Sequence, residues 1–303
     1  MADVRGLCAG GGDHRIHHRA AVAALLMRWR NRDRADHDHG VRLAVRGVER
    51  HRPALNGANQ VLIIVKRGEG LVHSGVSGIA DVDAARPVEA NTRFRIASMT
   101  KAFTALTLFD LAGEGRLRLD DKGAAHVPEV AGWGDALTVT DLVHHMGGFV
   151  TDDPWGDRQT PLPEAQFSAL LKSGVPFTRA PGLVHEYSNL GYALLGRIIR
   201  NVSGQPFEAE IAKRRFRPLG MAHTVAHQDG VDQVAQRTYG YSEVDGRWQR
   251  TDQSTTSGVL GDGGIYSSLD DLARWDAALY DDRLLSAASR KAMFSPATAT
   301  TEA

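Results

Sequence analysis

The stretch that most constrains this chain is Ser98-Met-Thr-Lys101. A small-residue entry at Ala97–Ser98 leads into apolar residues at helical spacing, which predict a helix to about Ala112: Phe103, Leu106, Leu108 and Leu111. Residues three apart share a helix face, with Cβ atoms about 5–6 Å apart, so Ser98 and Lys101 can touch. A desolvated lysine there can be neutral and take the serine proton, or stay charged and hold a second base. Alone, Ser-x-x-Lys is a common coincidence, and a capping serine beside a solvated lysine is the simpler interpretation.

Charge and composition exclude several classes of function. The chain has 303 residues and a net charge of zero, so no electrostatic argument favours nucleic acid or an anionic membrane surface. Its single cysteine, Cys8, excludes an intramolecular disulfide and gives no zinc cluster. No apolar run is long enough for a transmembrane helix. The apolar content of 42% is that of an ordinary globular protein, so the function must be sought in the motifs.

Residues 1–55 differ in composition from the rest. Arginine recurs there, whereas the first lysine is Lys66. Only Ala20–Trp29 has helical character, and arginines follow it too soon for a convincing signal peptide. A His/Asp cluster lacks paired spacing on a clear helix face, so we expect no metal site: His14, His17, His18, Asp36, His37, Asp38 and His39. We expect a poorly ordered extension, or translated sequence that is not the native start, whose deletion leaves fold and activity essentially unchanged.

From residue 56 onward the pattern is that of a folded domain. Residues 60–66 and 71–78 predict an antiparallel hairpin, and the region of about 115–220 is mainly helical. Predicted helices there are 138–146, 164–173, 192–202 and 207–216. A second hairpin is predicted over 239–251, and a helix capped by Ser267 or Ser268 over 269–280. The glycine-rich stretch 258–264 lacks the strand–loop–helix context and the lysine of a phosphate-binding loop.

A second informative stretch is Tyr187-Ser-Asn189, which follows a Pro-Gly turn and precedes an apolar helix. In isolation it predicts a core tyrosine and a capping asparagine. In combination with Ser98-x-x-Lys101, about 90 residues earlier, it resembles the serine penicillin-recognising hydrolases, most of all the class C β-lactamase branch with its D-alanyl-D-alanine peptidases and family VIII carboxylesterases. The resemblance covers roughly residues 58–295, and its flanking stretches are 94–101, 117–121, 138–148, 181–196, 218–221 and 263–268.

The resemblance implies an α+β fold of the β-lactamase/transpeptidase type, an antiparallel sheet flanked by helices with a mostly helical insert. Residues 1–55 would be the atypical extension, and residues 56–303 the hydrolase domain, with the insert at about 115–220. It also implies the roles of four residues. Ser98 would be the acylated nucleophile, Lys101 would ease its deprotonation, and Tyr187 would be the general base and later the acid. Asn189 would bind the acyl-side amide of the substrate and orient Lys101.

One family feature is missing from the sequence. The family has a third motif, His/Lys-x-Gly on a sheet strand, whose backbone supplies one of two oxyanion N–H groups, the other coming from the nucleophilic serine. It should follow residues 263–268 by many tens of residues, but the chain ends at Ala303 without it, and His223 and His227 lie in the wrong place to substitute. We therefore expect a C-terminally truncated domain with an incomplete sheet.

Two functions remain open on this basis. The first is a serine hydrolase that forms an acyl-enzyme at Ser98 and acts on a small ester, a β-lactam or a D-Ala peptide. Esterase-type activity ranks first, because a short ester does not require a group that binds a substrate carboxylate. The alternative is a non-catalytic or very slow penicillin-binding remnant.

The family chemistry needs no cofactor and no metal, and the only expected partner is the small-molecule substrate. The sequence does not determine the oligomeric state. The default compartment is cytoplasmic, although members of the family are often exported.

Overall fold

A computed structural model describes residues 23–28, 61–67, 70–149, 163–227, 233–250 and 260–279, together with residues 283, 284, 286, 287 and 291; side chains are described from residue 74 onward. Strands and helices follow one another in an α+β arrangement, which confirms the predicted fold class. The loop at 154–162, the N-terminal His/Asp cluster and the end of the chain lie outside the described residues.

The N-terminal hairpin forms as predicted. Strand β2 (Val61–Arg67) pairs with β3 (Gly70–Ser77) in antiparallel register, with Val61 opposite Ser77. A third strand, β1 (Ala23–Arg28), lies parallel to β2, with Ala23 opposite Val61, so the sheet order is β1-β2-β3.

The strand β1 corrects the sequence interpretation of the N-terminal segment. The helical character predicted for residues 20–29 is wrong over Ala23–Arg28, because a short apolar run does not distinguish a helix from a paired strand and the free edge of β2 supplies hydrogen-bonding partners here. Removal of residues 1–55 would therefore expose the edge of β2. The boundary at residue 55 stays a prediction.

The helices pack in the region where the sequence predicts them. They are α1 (Thr100–Gly113), α2 (Gly123–His126), α3 (Val139–Val143), α4 (Glu164–Ser173), α5 (Asn189–Ser203) and α6 (Phe207–Ile211), the last continuing as a π-helical turn over Ala212–Phe216. Helix α5 begins three residues before the predicted start at 192, because the Ser188 hydroxyl accepts the Gly191 N–H and caps it. Helices α1 and α5 contact each other at the centre of the apolar core, to which they contribute residues that include Phe103, Leu106, Leu195 and Ile198.

Short strands complete the fold and join distant parts of the chain. Strands β4 (Ile79–Asp81) and β5 (Arg86–Pro87) pair with each other, and β6 (Phe94–Arg95), β7 (Val225–Ala226) and β10 (Ile265–Ser267) form an antiparallel sheet in the order β6-β10-β7. The predicted second hairpin is confirmed as β8 (Tyr241–Val244) and β9 (Arg247–Arg250). The predicted last helix is confirmed as α7 (Leu269–Ala278), with Ser268 as its cap. Pairing of β6 with β10 brings the residues before Ser98 beside the glycine-rich segment.

A close backbone approach holds the 3₁₀ turn Leu260–Asp262 between α1 and α5. The Thr104 hydroxyl on α1 donates to the Gly261 carbonyl at 2.7 Å. On the opposite side, a Cβ atom on Gly261 would lie 2.3 Å from the Tyr192 carbonyl oxygen and 3.0 Å from the Gly196 Cα. Only glycine therefore fits between the two helices at this position.

We predict that Gly261→Ala lowers the free energy of unfolding by about 1–3 kcal/mol, because its methyl group would overlap backbone atoms that cannot move independently of α5. Urea denaturation of the two proteins measures the difference. Gly113→Ala is the matched control, since a Cβ there meets nothing within 4 Å. Equal stability of Gly261→Ala and the control would contradict the proposed fit.

Candidate active site

The nucleophile predicted from sequence lies on a sharp turn between a strand and a helix. Strand β6 ends at Arg95, a 3₁₀ turn spans Ala97–Met99, and α1 follows at once. Ala97 has a φ of 45°, a left-handed conformation that costs a non-glycine residue free energy and is often found at functional sites. The backbone of Ile265 holds both sides of the turn, as its carbonyl accepts the Ile96 N–H at 2.9 Å and its N–H donates to the Thr100 hydroxyl at 3.3 Å. The Ser98 side chain is left exposed.

Lys101 lies beneath Ser98 and is 6% exposed. Its ammonium group donates to Asn189 Oδ1 at 2.8 Å and to the Asp262 carbonyl at 2.9 Å, and its Nζ atom is 3.4 Å from Ser98 Oγ. An ammonium has three N–H donors, and three oxygens surround this one. Each N–H group of the charged Lys101 ammonium therefore has an acceptor. Of the two roles that the sequence left open, this favours a lysine that stays charged and holds a second base.

Tyr187 also contacts Ser98. Its hydroxyl oxygen is 2.5 Å from Ser98 Oγ, and the Lys101 ammonium is 4.8 Å from the centre of its ring. Separations of about 2.5–2.7 Å are typical of O–H···O⁻ hydrogen bonds. The tyrosine side chain is 42% exposed, so Ser98 and Tyr187 face solvent together while Lys101 is covered.

The start of helix α5 places Tyr187 and Asn189. The capping residue Ser188 points into the helix, so its two neighbours are directed away from the cap. Asn189 contacts Lys101, and Tyr187 contacts Ser98. All four residues proposed from sequence thus lie in one group; their catalytic and binding roles remain predictions.

Sequence reasoning missed two further members of this group. Asp262 contributes only its backbone carbonyl to Lys101, so no residue-type pattern could reveal it. The His145 ring stacks on Tyr187 with centroids 4.7 Å apart and planes 28° apart. The one sequence signal for His145 was a histidine pair directly after a capped short helix, which by itself indicates nothing about Tyr187.

The surroundings of His145 keep its imidazole neutral. Burial, and secondarily the charge of Lys101, lowers the pKa of His145 from its usual 6.5 to about 4. Tyr192, which packs on the same histidine, donates its hydroxyl to the Val143 carbonyl at 2.9 Å, and burial raises the pKa of Tyr192 to about 12. The imidazole of His145 and the phenol of Tyr192 are therefore both neutral at neutral pH.

The fold class and the four-residue group agree with what the resemblance to penicillin-recognising serine hydrolases predicts. The comparison with protein families agrees as well: the sequence model described as Beta-lactamase matches residues 45–303. The chain belongs to the beta-lactamase family.

The chain is also similar to individual proteins over part of their length. Protein flp of Staphylococcus aureus (strain NCTC 8325 / PS 47) is 34% identical over 171 residues, which are 54% of this chain and 34% of that protein. Penicillin-binding protein 4* of Bacillus subtilis (strain 168) is 29% identical over 256 residues, 78% of this chain and 56% of the relative. The octameric penicillin-binding protein homologue from Pyrococcus abyssi superposes with a TM-score of 0.67 at 28% identity, over 83% of this chain and 59% of that one.

The chain therefore spans about a third of the length of the first relative and little more than half of the second. Across the described residues, no helix has both the length and the apolar character needed to cross a bilayer.

We predict that the free energy of unfolding decreases as the pH is lowered from about 6.5 to about 4. The folded state depresses the pKa of His145, so the unfolded chain binds more protons than the folded one across this window, and acid favours unfolding. Urea denaturation at several pH values measures the slope, and the difference from His145→Asn isolates the contribution of this histidine. An identical slope in the variant would contradict the assignment.

Proposed function

We propose that this protein is a serine hydrolase that forms an acyl-enzyme at Ser98, and that its substrate is a β-lactam, a D-Ala peptide or a small ester. The observation that carries the proposal is the 2.5 Å separation between Ser98 Oγ and the Tyr187 hydroxyl, next to a lysine whose three hydrogen-bond directions all end on oxygens. A serine hydroxyl needs a base to become a nucleophile, and this tyrosine is within reach of its proton.

The acylation step begins with Tyr187 as phenolate beside the charged Lys101. The Ser98 proton moves to the phenolate oxygen as Ser98 Oγ forms a bond to the substrate carbonyl carbon. The carbonyl π electrons move onto oxygen, which gives a tetrahedral oxyanion. When the oxyanion collapses, the bond to the leaving nitrogen or oxygen breaks, and Tyr187 returns the proton to that atom. A water molecule then repeats the sequence on the acyl-enzyme and releases Ser98.

Lys101 stabilises this cycle without giving up a proton. Its ammonium favours the phenolate at Tyr187 by charge and is 3.4 Å from the attacking oxygen. Because Asn189 Oδ1 and the Asp262 carbonyl take its other two donors, the ammonium cannot turn away from the reacting atoms without losing two short hydrogen bonds. The Ser98 N–H at the start of the helical segment would donate to the oxyanion, where the helix dipole also favours negative charge.

The three substrate classes share one electrophile, a carbonyl that accepts a serine oxygen. The penicillin-binding relatives favour a penicillin as the first probe, and a nitrophenyl ester makes the fewest demands on the site. A coloured β-lactam and a nitrophenyl ester assayed side by side separate them. A stable penicillin adduct without turnover would instead favour a penicillin-binding protein that hydrolyses slowly or not at all.

We predict that Ser98→Ala abolishes hydrolysis and all covalent labelling by a penicillin or a fluorophosphonate. Mass spectrometry of the labelled wild-type protein should place the acyl group on the peptide that contains Ser98. Thr107→Ala, a buried hydroxyl on the same helix that donates to the Phe103 carbonyl, is the control and should still be labelled. An adduct on another residue would overturn the assignment of the nucleophile.

We also predict strongly non-additive losses for the base and its cation. Tyr187→Phe and Lys101→Met should each reduce the acylation rate by about 10³-fold or more, and the double variant should lose little beyond either single one, since the two side chains act as one unit. Stopped-flow measurement of the acylation rate gives the three numbers. Losses that multiply would show that Lys101 and Tyr187 act independently.

A further inference from the structure

His145 forms hydrogen bonds to the backbone on both sides of Tyr187. Its Nδ1 atom accepts the Ser188 N–H at 3.1 Å, and its backbone carbonyl accepts the Glu186 N–H at 2.7 Å. The two donors are the residues immediately before and after the tyrosine. The imidazole face lies against the phenol ring between them. Three independent contacts from one histidine therefore define where the Tyr187 side chain stands.

The position of His145 is itself held by a tight turn. The residue follows α3 and has a φ of 56°, a left-handed conformation that is uncommon for a non-glycine residue. The next residues form backbone hydrogen bonds to the segment that leads to Tyr187. The Met146 carbonyl accepts the Gly182 N–H at 2.8 Å, and the Gly148 carbonyl accepts the Thr178 N–H at 2.8 Å. The turn 145–148 thus fixes the irregular segment that leads to the tyrosine by backbone hydrogen bonds.

We propose that His145 is a positioning residue for Tyr187, and that it works only as a neutral imidazole with the proton on Nε2. The inference rests on the proposed function, in which Tyr187 is the base. His145 needs no contact with the substrate for this role. It keeps the phenol oxygen within hydrogen-bond distance of Ser98 by fixing the backbone on both sides of the ring.

Protonation of His145 would undo this arrangement by two routes. It places an N–H on Nδ1, directly opposite the Ser188 N–H, so an acceptor becomes a second donor. It also adds a positive charge next to Lys101. Among the described residues, the other titratable groups that face the ring are His144 on its own turn, and His185, Tyr187 and Tyr192 from the opposite segment; none of them is a carboxylic acid. The nearby Glu186 carboxylate is engaged by Thr178 and Arg179. The low pKa of His145 agrees with this environment.

Two substitutions separate the parts of the role. His145→Asn keeps an acceptor near the position of Nδ1 and tolerates the positive φ, but removes the ring. His145→Phe keeps the ring face and removes the acceptor. His144→Asn is the matched control, because His144 is a half-buried neighbour whose pKa burial also lowers, and it does not belong to the ring stack on Tyr187 among the described residues.

The readout is the rate of Ser98 acylation by a fluorescent penicillin, measured from about pH 4 to about pH 8, with the apparent affinity determined separately. We expect His145→Phe to lower the acylation rate by about 10–100-fold with little change in affinity, as a misplacement of about 1 Å can cost about 10²-fold. We expect the acylation rate of the wild type to fall near pH 4, and His145→Asn to recover most of the loss and to lack this fall. His144→Asn should match the wild type throughout.

Two results would overturn the proposal: His145→Phe acylating as fast as the His144→Asn control, or His145→Asn retaining the acid-side fall in rate unchanged. If neither a penicillin nor an ester acylates the wild-type protein, the proposed function is refuted. In that case nitrogen NMR still tests the positioning role of His145 by itself. We expect the His145 signals of a neutral Nε2–H imidazole at neutral pH, with the Tyr187 ring resonances shifted in His145→Phe. A protonated Nδ1 at neutral pH, or unshifted Tyr187 resonances, would sink the assignment.

Discussion

The hydrogen bonds of the buried Lys101 ammonium are the interaction on which the site depends. A buried charge is costly unless its donors are satisfied. The three N–H groups of this ammonium face Asn189 Oδ1, the Asp262 carbonyl and Ser98 Oγ. Each partner comes from a different part of the chain. The lysine can keep its charge only where α1, the start of α5 and the 260–262 turn meet in the observed geometry, so the folding of these three segments and the charge beside Ser98 are coupled.

The apolar core and the β6-β10-β7 sheet hold these three segments together. Thr104 on α1 binds the Gly261 carbonyl, and Gly261 packs against the backbone of α5 at Tyr192 and Gly196. Pairing of β6 with β10 sets the turn before Ser98 against Ile265. The site is thus built on backbone contacts between rigid elements, which leaves the exposed Ser98 and Tyr187 side chains little freedom relative to the lysine beneath them.

Much of the fold follows from local patterns. The hairpins at 60–78 and 239–251, the helices after Ser98 and Glu164, and the cap of the last helix are all visible as alternation, periodicity or capping residues, since these features depend on neighbours in sequence. The strand Ala23–Arg28 was missed because a run of five apolar residues suits a helix or a strand equally, and its pairing with β2 is a long-range contact. His145 was missed because it contacts Tyr187 through its ring face and the neighbouring backbone through hydrogen bonds. Asp262 was missed because it contacts Lys101 through its backbone carbonyl, which every residue type possesses.

By itself, the sequence determined which side chains could carry the chemistry: a serine three residues before a lysine at a helix start, and a tyrosine and an asparagine at the start of another helix. It left two roles open for the lysine. Only the tertiary structure places two further oxygens beside Ser98 Oγ around the ammonium, which favours the charged form. The physical reason is that the protonation state of a buried group depends on the donors and acceptors that surround it in space, and here those lie 88 and 161 residues away along the chain.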